Sequence, residues 1–163
     1  MPTSSGASSV AIIDAGFISE YHINGIRAAG DAEITCLVGR RANKTAERAA
    51  QLEIPHHSTH YHNVLIDPDI DAVVIATPDA THKSITIDAL RAGKSVLLQK
   101  PMVINSEECA QILQCANETR TPLTVSFMHR YFAEVRWLRK QILHNTYGKI
   151  HSIRIRNATP GAD

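Results

Sequence analysis

A short apolar run without alternation constrains the fold of this chain more than any other feature. Residues 71–76 read Asp-Ala-Val-Val-Ile-Ala, and Thr77-Pro78-Asp79 ends the run. A strand with apolar side chains on both faces is typical of the centre of a parallel sheet, because helices cover both faces of such a sheet. Parallel neighbours need crossover connections, so the run predicts strands that alternate with helices.

The rest of the chain shows this alternation. Further strands are predicted at residues 10–13, 32–38, 56–59, 95–98 and 123–127, and helices at residues 17–29, 44–52, 61–66, 80–92, 106–118 and 131–144. Gly30 and Gly93 are expected to end their helices, and Asn43 and Ser106 to cap theirs. The predicted fold class is α/β, a doubly wound parallel sheet.

The predicted strand at residues 150–156 differs from the others. Ile153 and Ile155 alternate with arginines, which favours a sheet with one solvated face. We interpret this strand as the first of a second, different sheet. Because the chain ends at Asp163, the rest of that sheet is expected to be missing.

Charge and composition exclude several classes of partner. Lysine and arginine number 17 against 16 acidic residues, a net charge of +1, so the chain has no basic field for nucleic acid. No apolar run approaches the roughly 20 residues of a membrane span, so no membrane partner is expected. The polar residues 1–9 are interpreted as a flexible leader rather than a secretory signal, and three cysteines without Cys-x-x-Cys spacing fit a reducing cytoplasm.

The turn after the first predicted strand matches part of a dinucleotide fingerprint. Such a fingerprint has the pattern Gly-x-Gly-x-x-Gly/Ala, whereas residues 14–19 read Asp-Ala-Gly-Phe-Ile-Ser. Gly16 stands where the backbone approaches a pyrophosphate, and Ser19 is small enough for close helix packing. Asp14 departs from the pattern, because a carboxylate there repels phosphate. The turn therefore indicates either dinucleotide binding or an ordinary strand–turn–helix.

The second predicted strand ends in Gly39-Arg40-Arg41. A carboxylate at this place would bind the ribose 2′-hydroxyl of NAD, whereas arginines suit the 2′-phosphate of NADP. The sequence thus favours NADP over NAD as cofactor, and the alternative is a pair of solvated arginines that only flank a helix.

Two further strand ends carry a family resemblance. Residues 76–82 read Ala-Thr-Pro-Asp-Ala-Thr-His, and residues 99–101 read Gln-Lys-Pro. The patterns Ala-Thr-Pro-x-x-x-His and (Glu/Gln)-Lys-Pro, with Ala92-Gly93-Lys94 between them, resemble the Gfo/Idh/MocA family of NAD(P)-dependent oxidoreductases. The resemblance covers residues 10 to about 157.

The resemblance implies roles for individual residues. Lys100 would be the catalytic residue, standing between nicotinamide and substrate and donating to the substrate hydroxyl oxygen. The amides at the start of the first helix would meet the pyrophosphate, and Thr77, Pro78 and His82 would line the cleft near the ribose. The residues implied to bind NADP or NAD are Gly16, Phe17, Ile18, Gly39, Arg40, Arg41, Thr77, Pro78, His82, Gln99, Lys100 and Pro101.

The resemblance also implies a domain organisation. Residues 1–9 would be the leader, residues 10–127 the NAD(P)-binding Rossmann domain, and residues 128–163 a connecting helix and the first strand of a truncated C-terminal domain. The family's remaining catalytic groups would lie in the missing α/β substrate domain, and only with that domain would a homo-oligomer be expected.

The reaction implied is hydride transfer to or from a sugar, a polyol or a related hydroxy compound. Such a transfer needs two reactants in near-attack geometry and a general acid or base within reach. Because the substrate domain is expected to be missing, the sequence does not decide whether this chain is itself an enzyme. The alternative is a truncated, non-catalytic relative that acts as a nucleotide-binding or protein-interaction module.

Four histidines, at positions 56, 57, 60 and 62, crowd one short segment. No cysteine or carboxylate lies among them, and the segment has no fixed helical phase, so solvated loop histidines are expected there. No metal site is predicted for the chain.

Overall fold

The computed structural model describes residues 7–155, and its central feature is a parallel sheet. The strands are β1 (Ser8–Ile13), β2 (Ala32–Val38), β3 (His56–Ser58), β4 (Ala72–Ile75), β5 (Ser95–Gln99) and β6 (Leu123–Ser126). The helices are α1 (Phe17–Ala29), α2 (Ala42–Gln51), α3 (Tyr61–Ile66), α4 (His82–Arg91), α5 (Ser106–Thr119) and α6 (Ala133–Leu143). Within residues 7–155, no helix is long and apolar enough to cross a membrane.

The strand order confirms the predicted doubly wound fold. All six strands pair in parallel in the order β3-β2-β1-β4-β5-β6. The chain moves outward from β1 to β3, then returns to the other side of β1 and moves outward again from β4 to β6. The strand order therefore reverses between β1 and β4, where doubly wound sheets open a crevice for ligands.

The hydrophobic core lies on both faces of the sheet, because successive residues of a strand point to opposite sides. Ile13 of β1 and Ile75 of β4 pack in one apolar cluster, whereas Ile12 and Val74 pack in the other. β4 is thus buried on both faces, as the unalternating run predicts. Each fully buried aliphatic side chain stabilises the fold by roughly 1.5–3 kcal/mol.

The N-terminal serines correct one prediction. Ser8 and Ser9 belong to β1, whereas the sequence predicts a flexible leader over residues 1–9. The Ser9 amide donates a hydrogen bond to the Asp71 carboxylate at 2.8 Å. These serines lie at the exposed start of the strand, where backbone pairing needs no apolar side chain. Hydropathy therefore does not reveal that the strand begins at Ser8. Residues 1–6 lie outside the described residues.

Two helix caps also differ from the prediction. α2 begins after Arg41, so the predicted cap Asn43 lies within the first turn. α5 is capped by Asn105 rather than by Ser106, and the Asn105 side chain accepts a hydrogen bond from the Glu108 amide at 2.8 Å. Adjacent polar residues have similar capping preferences, so the sequence does not rank them.

The chain divides into two compact units, the first ending at Ser126 and the second beginning at Phe127. The second unit contains a 3-10 turn (Met128–Tyr131) and α6, none of whose residues is buried. The strand predicted at residues 150–156 does not form in its described part, which ends at residue 155. A strand needs a neighbour for its backbone groups, and the described part of this unit offers none. Arg156 lies outside the described residues.

The clustered histidines are distributed over two elements. His56 and His57 lie on the edge strand β3, His60 precedes α3, and the His62 ring lies 3.7 Å from the Asp88 carboxylate. In the part of the chain that the structure describes, no three side chains of His, Cys, Asp or Glu converge as a metal ion would require.

Candidate functional site

A cavity of about 800 Å³ opens at the carboxyl edge of the sheet. It is bounded by the ends of β1, β2 and β4, by the first residues of α1 and by one face of α2. The cavity brings together eight of the residues singled out in the sequence, namely Gly16, Phe17, Ile18, Gly39, Arg40, Arg41, Thr77 and Pro78. They lie where the strand order reverses, the place at which doubly wound sheets bind ligands.

Gly39 allows the end of β2 to approach the turn after β1. A Cβ atom at Gly39 would lie 2.4 Å from the Thr45 hydroxyl oxygen and 3.0 Å from the Ala15 Cβ. Both distances are shorter than ordinary contacts, and the Thr45 hydroxyl is itself held by a 2.8 Å hydrogen bond to the Arg41 carbonyl oxygen. Only glycine therefore fits here, and this steric role adds to the absence of a carboxylate noted in the sequence.

Asp14 adopts a backbone conformation that usually favours glycine, with φ of 127°. Its amide donates to the Val38 carbonyl oxygen at 3.0 Å, and its carbonyl oxygen accepts from the buried Ser19 hydroxyl at 2.8 Å. One carboxylate oxygen, Oδ2, accepts a hydrogen bond from the Gly16 amide at 2.9 Å. The carboxylate consequently lies against the N-terminus of α1, where the helix dipole favours an anion.

The opposite side of the cavity is basic. Arg40, Arg41 and Lys44 are exposed, whereas Arg48 forms an ion pair with Glu20 of α1 at 2.5 Å. Sequence reasoning missed a group of cavity residues on α2, namely Lys44, Thr45, Glu47, Arg48 and Gln51. Their spacing of three or four residues places most of them on one face of the helix, and this signal could have identified them.

A smaller cavity of about 210 Å³ continues the main one between β2 and β4. The residues that line both cavities are Asp14, Gly39, Arg40, Thr77 and Pro78, and the smaller cavity adds apolar surface from Ile85 and Tyr61. Such a lining suits a flat, uncharged group. Burial, together with a 2.8 Å hydrogen bond from the Tyr61 hydroxyl to Asp88, raises the pKa of Tyr61 to about 12, so its hydroxyl stays neutral.

The end of β5 carries a separate group of predicted residues, Gln99-Lys100-Pro101, which we call the lysine turn. These residues do not line either cavity. The Gln99 side chain is buried, and its Oε1 accepts a hydrogen bond from the Lys100 amide at 2.8 Å. Lys100 itself is exposed, and the Lys100–Pro101 peptide bond is cis.

His82 joins the lysine turn to the cavity, and it lines neither cavity, although the family resemblance implies a place in the cleft. Its side chain is fully buried, with 0% exposure. Nε2 lies 2.8 Å from the Thr77 carbonyl oxygen, and Nδ1 lies 2.9 Å from that of Pro101 and 3.2 Å from that of Met102. Carbonyl oxygens only accept, so the neutral ring donates on one side and the charged ring on both. His82 therefore holds two strand ends together from beneath the site.

Comparisons with known proteins agree with this geometry. A family model described as an oxidoreductase family with an NAD-binding Rossmann fold, Gfo/Idh/MocA, matches residues 8–127. Among curated relatives, scyllo-inositol 2-dehydrogenase (NAD(+)) of Bacillus subtilis is 31% identical over 74% of this chain and 36% of its own length. The 1,5-anhydro-D-fructose reductase of Ensifer adhaerens is 30% identical over 85% of this chain and 41% of its own length.

Solved structures show the same fold. The crystal structure of an NAD-binding protein from Listeria innocua superposes with a TM-score of 0.80 at 30% sequence identity, covering 88% of this chain and 42% of that protein. The chain thus spans about two fifths of the length of the relatives it matches. The matched part contains the whole sheet and both cavities.

Proposed function

The chain belongs to the Gfo/Idh/MocA family of oxidoreductases, and we propose that it is the cofactor-binding part of a dehydrogenase or reductase. The proposed substrate is a sugar, a polyol or a related hydroxy compound. The observation that carries the proposal is the cavity where the ends of β1, β2 and β4 meet. The names of two relatives, an inositol dehydrogenase and an anhydrofructose reductase, support this class of reaction and substrate over a protein-interaction module.

The residues around the cavity fit the adenosine end of NAD(P). Gly39 is buried and lets the end of β2 pack against Ala15 and Thr45 beside the main cavity. The small apolar cavity beside Pro78 suits a purine ring. Arg40 and Arg41 offer cations for phosphate. When bound, the cofactor would supply a hydride donor or acceptor at its nicotinamide ring.

Within this function, NADP is the cofactor that the site favours. At the end of β2, Gly39 has no carboxylate with which to bind two ribose hydroxyls. Arg40 and Arg41 carry guanidinium groups that suit a phosphate dianion. A charge-assisted hydrogen bond contributes roughly 1.5–3 kcal/mol, so we expect NADPH to bind about ten- to a hundredfold more tightly than NADH.

Lys100 is the proposed catalytic residue. Its backbone is fixed by Gln99 and, through Pro101, by the buried His82, while its ammonium group stays exposed. An ammonium group held at the substrate oxygen would stabilise negative charge there as the hydroxyl proton leaves.

Calorimetric titration of the chain with NADPH and NADH tests the proposal. The affinity ratio should fall in Arg40→Ala and at high salt, because the arginines are exposed and their field is screened. Arg91→Ala removes the same charge at the far end of α4 and should leave the ratio unchanged. A ratio near one that ignores salt and Arg40 would contradict the NADP preference, and binding of neither nucleotide would contradict the cofactor function.

A further inference from the structure

The turn after β1 contains an anion of its own. Asp14 Oδ2 accepts from the Gly16 amide at 2.9 Å, and a Cβ atom at Gly16 would lie only 2.5 Å from that oxygen. The carboxylate is therefore packed directly onto the residue that starts α1. In dinucleotide-binding folds, the amides of this turn face the pyrophosphate.

The position of this carboxylate is determined by the surrounding backbone. The Asp14 amide and carbonyl groups are bound by Val38 and Ser19 at 3.0 and 2.8 Å, and the Ser19 side chain is only 1% exposed. These contacts come from β2 and from α1, so they fix the residue from two elements. The carboxylate is thus part of the site's architecture rather than a mobile surface charge.

Charge is distributed unequally along the cavity. The carboxylate of Asp14 lies against the Gly16 amide at the start of α1. The exposed side chains of Arg41 and Lys44 lie next to α2, and Arg40 lines the smaller cavity together with Asp14. Glu47 is the acidic residue that lines the cavity near these cations. A ligand with phosphate at the α2 end meets attraction, and one with phosphate at the α1 end meets a like charge.

We propose that Asp14 is a specificity-determining residue, which makes this site select a phosphate on the ribose 2′-hydroxyl and disfavour phosphates on the 5′-hydroxyl. The inference rests on the proposed function, because it assumes that the cavity holds an adenine nucleotide with its 2′-hydroxyl toward Arg40 and Arg41. The preferred ligand class is an adenosine 2′-phosphate, and NADP(H) binds mainly through that end. The 5′-diphosphate contributes less to the binding free energy than the 2′-phosphate does.

Fragments of the cofactor separate the two ends of the cavity. Calorimetry with 2′-AMP, 5′-AMP, ADP and NADPH is carried out on the whole chain and on Asp14→Asn, which removes the charge and keeps the shape. Asparagine tolerates positive φ, so this variant should fold, and thermal melting checks that it does. Asp31→Asn is the matched control, because it removes one exposed carboxylate at the opposite edge of the sheet, before β2.

The expected result is that a single substitution narrows the preference for the 2′-phosphate at least tenfold. In the unmodified chain, 2′-AMP should bind at least tenfold more tightly than 5′-AMP. In Asp14→Asn, binding of 5′-AMP, ADP and NADPH should tighten at least tenfold, equivalent to about 1.4 kcal/mol, while 2′-AMP changes by less than twofold. Asp31→Asn should change none of the four ligands by more than twofold.

Two other outcomes distinguish the inference from the function on which it rests. If NADPH binds but the fragments respond equally to Asp14→Asn and Asp31→Asn, the role of Asp14 is overturned and the cofactor function stands. If no nucleotide binds to any of the three proteins, the cofactor function fails and this inference fails with it.

Discussion

The lysine turn and the main cavity lie on the same edge of the sheet but are held in place by different means. Buried polar side chains fix the lysine turn, with His82 bound to carbonyl oxygens and Gln99 bound to the Lys100 amide. The cavity is shaped by close backbone packing at Gly39 and lined by exposed cations. At the lysine turn, the contacts that position Lys100 also stabilise the fold. In the cavity, the exposed cations can be replaced without disturbing the hydrophobic core.

The largest effect that would test this contrast is expected for His82→Ala. The substitution removes the buried ring that contacts the Thr77 and Pro101 carbonyl oxygens at 2.8 and 2.9 Å, and it opens a cavity. It should therefore reduce the free energy of unfolding by about 3–5 kcal/mol. Urea denaturation measures the change.

Thr86→Val is the matched control for that experiment. Thr86 lies one turn further along α4, is equally buried, and has a hydroxyl oxygen without a hydrogen-bond partner among the described residues. Its replacement should leave the free energy of unfolding unchanged or raise it slightly, because an unpaired buried hydroxyl is removed. If His82→Ala reduces the free energy of unfolding no more than this control does, buried contacts of His82 do not hold the lysine turn in place. The turn and the cavity would then not differ in this respect.

An intermediate effect is expected on the cavity side for Gly39→Ala. The new methyl group would meet Thr45 and Ala15, so the end of β2 must move, at about 1–3 kcal/mol of stability. Nucleotide binding should weaken with it, since Gly39 lies at the junction of both cavities.

Gly25→Ala provides the comparison within α1. A Cβ atom there meets nothing within 4 Å, and alanine favours a helix interior, so stability should rise by about 0.5–1 kcal/mol. Should Gly39→Ala behave like Gly25→Ala in thermal melting, the cavity would be less tightly shaped than the geometry indicates.

The smallest effect is expected for the ion pair between Arg48 and Glu20, which links α1 and α2 beside the cavity. The two side chains are 30% and 44% exposed, so solvent screens the pair. A double-mutant cycle with Arg48→Ala and Glu20→Gln should give a coupling below about 1 kcal/mol that shrinks at high salt. A larger coupling energy that salt does not change would show that this part of the cavity, like the lysine turn, is held by polar contacts shielded from solvent.

Much of the fold could be predicted because hydrophobic periodicity is a local signal. Residues 71–76 predicted the central strand β4, and the turns at Gly16 and Gly39 fell at strand ends that meet in one cavity. The strand predicted at residues 150–156 failed in its described part for the opposite reason. Alternation indicates a suitable side-chain pattern, but a strand also needs a neighbour.

The internal role of His82 could not be predicted, because it depends on contacts between distant residues. Histidine is only intermediate in its tendency to be buried, and its acceptor at Pro101 lies 19 positions away. The carboxylate of Asp14 was recognised as a departure from the fingerprint, but its hydrogen bond to Gly16 and its positive φ follow from the three-dimensional turn. The cavity residues on α2 were missed, although their spacing of three or four residues is visible in the sequence.

The place of β1 in the sheet has a consequence for how the chain is made. β1 emerges from the ribosome before the other five described strands, yet its neighbour β4 follows much later, since Ser9 and Asp71 are 62 positions apart. Until that segment is translated, one side of an apolar strand that includes Ile12 and Ile13 has open backbone groups, and such edges recruit other chains. Nascent polypeptides that stall before residue 72 therefore expose this strand edge to other chains.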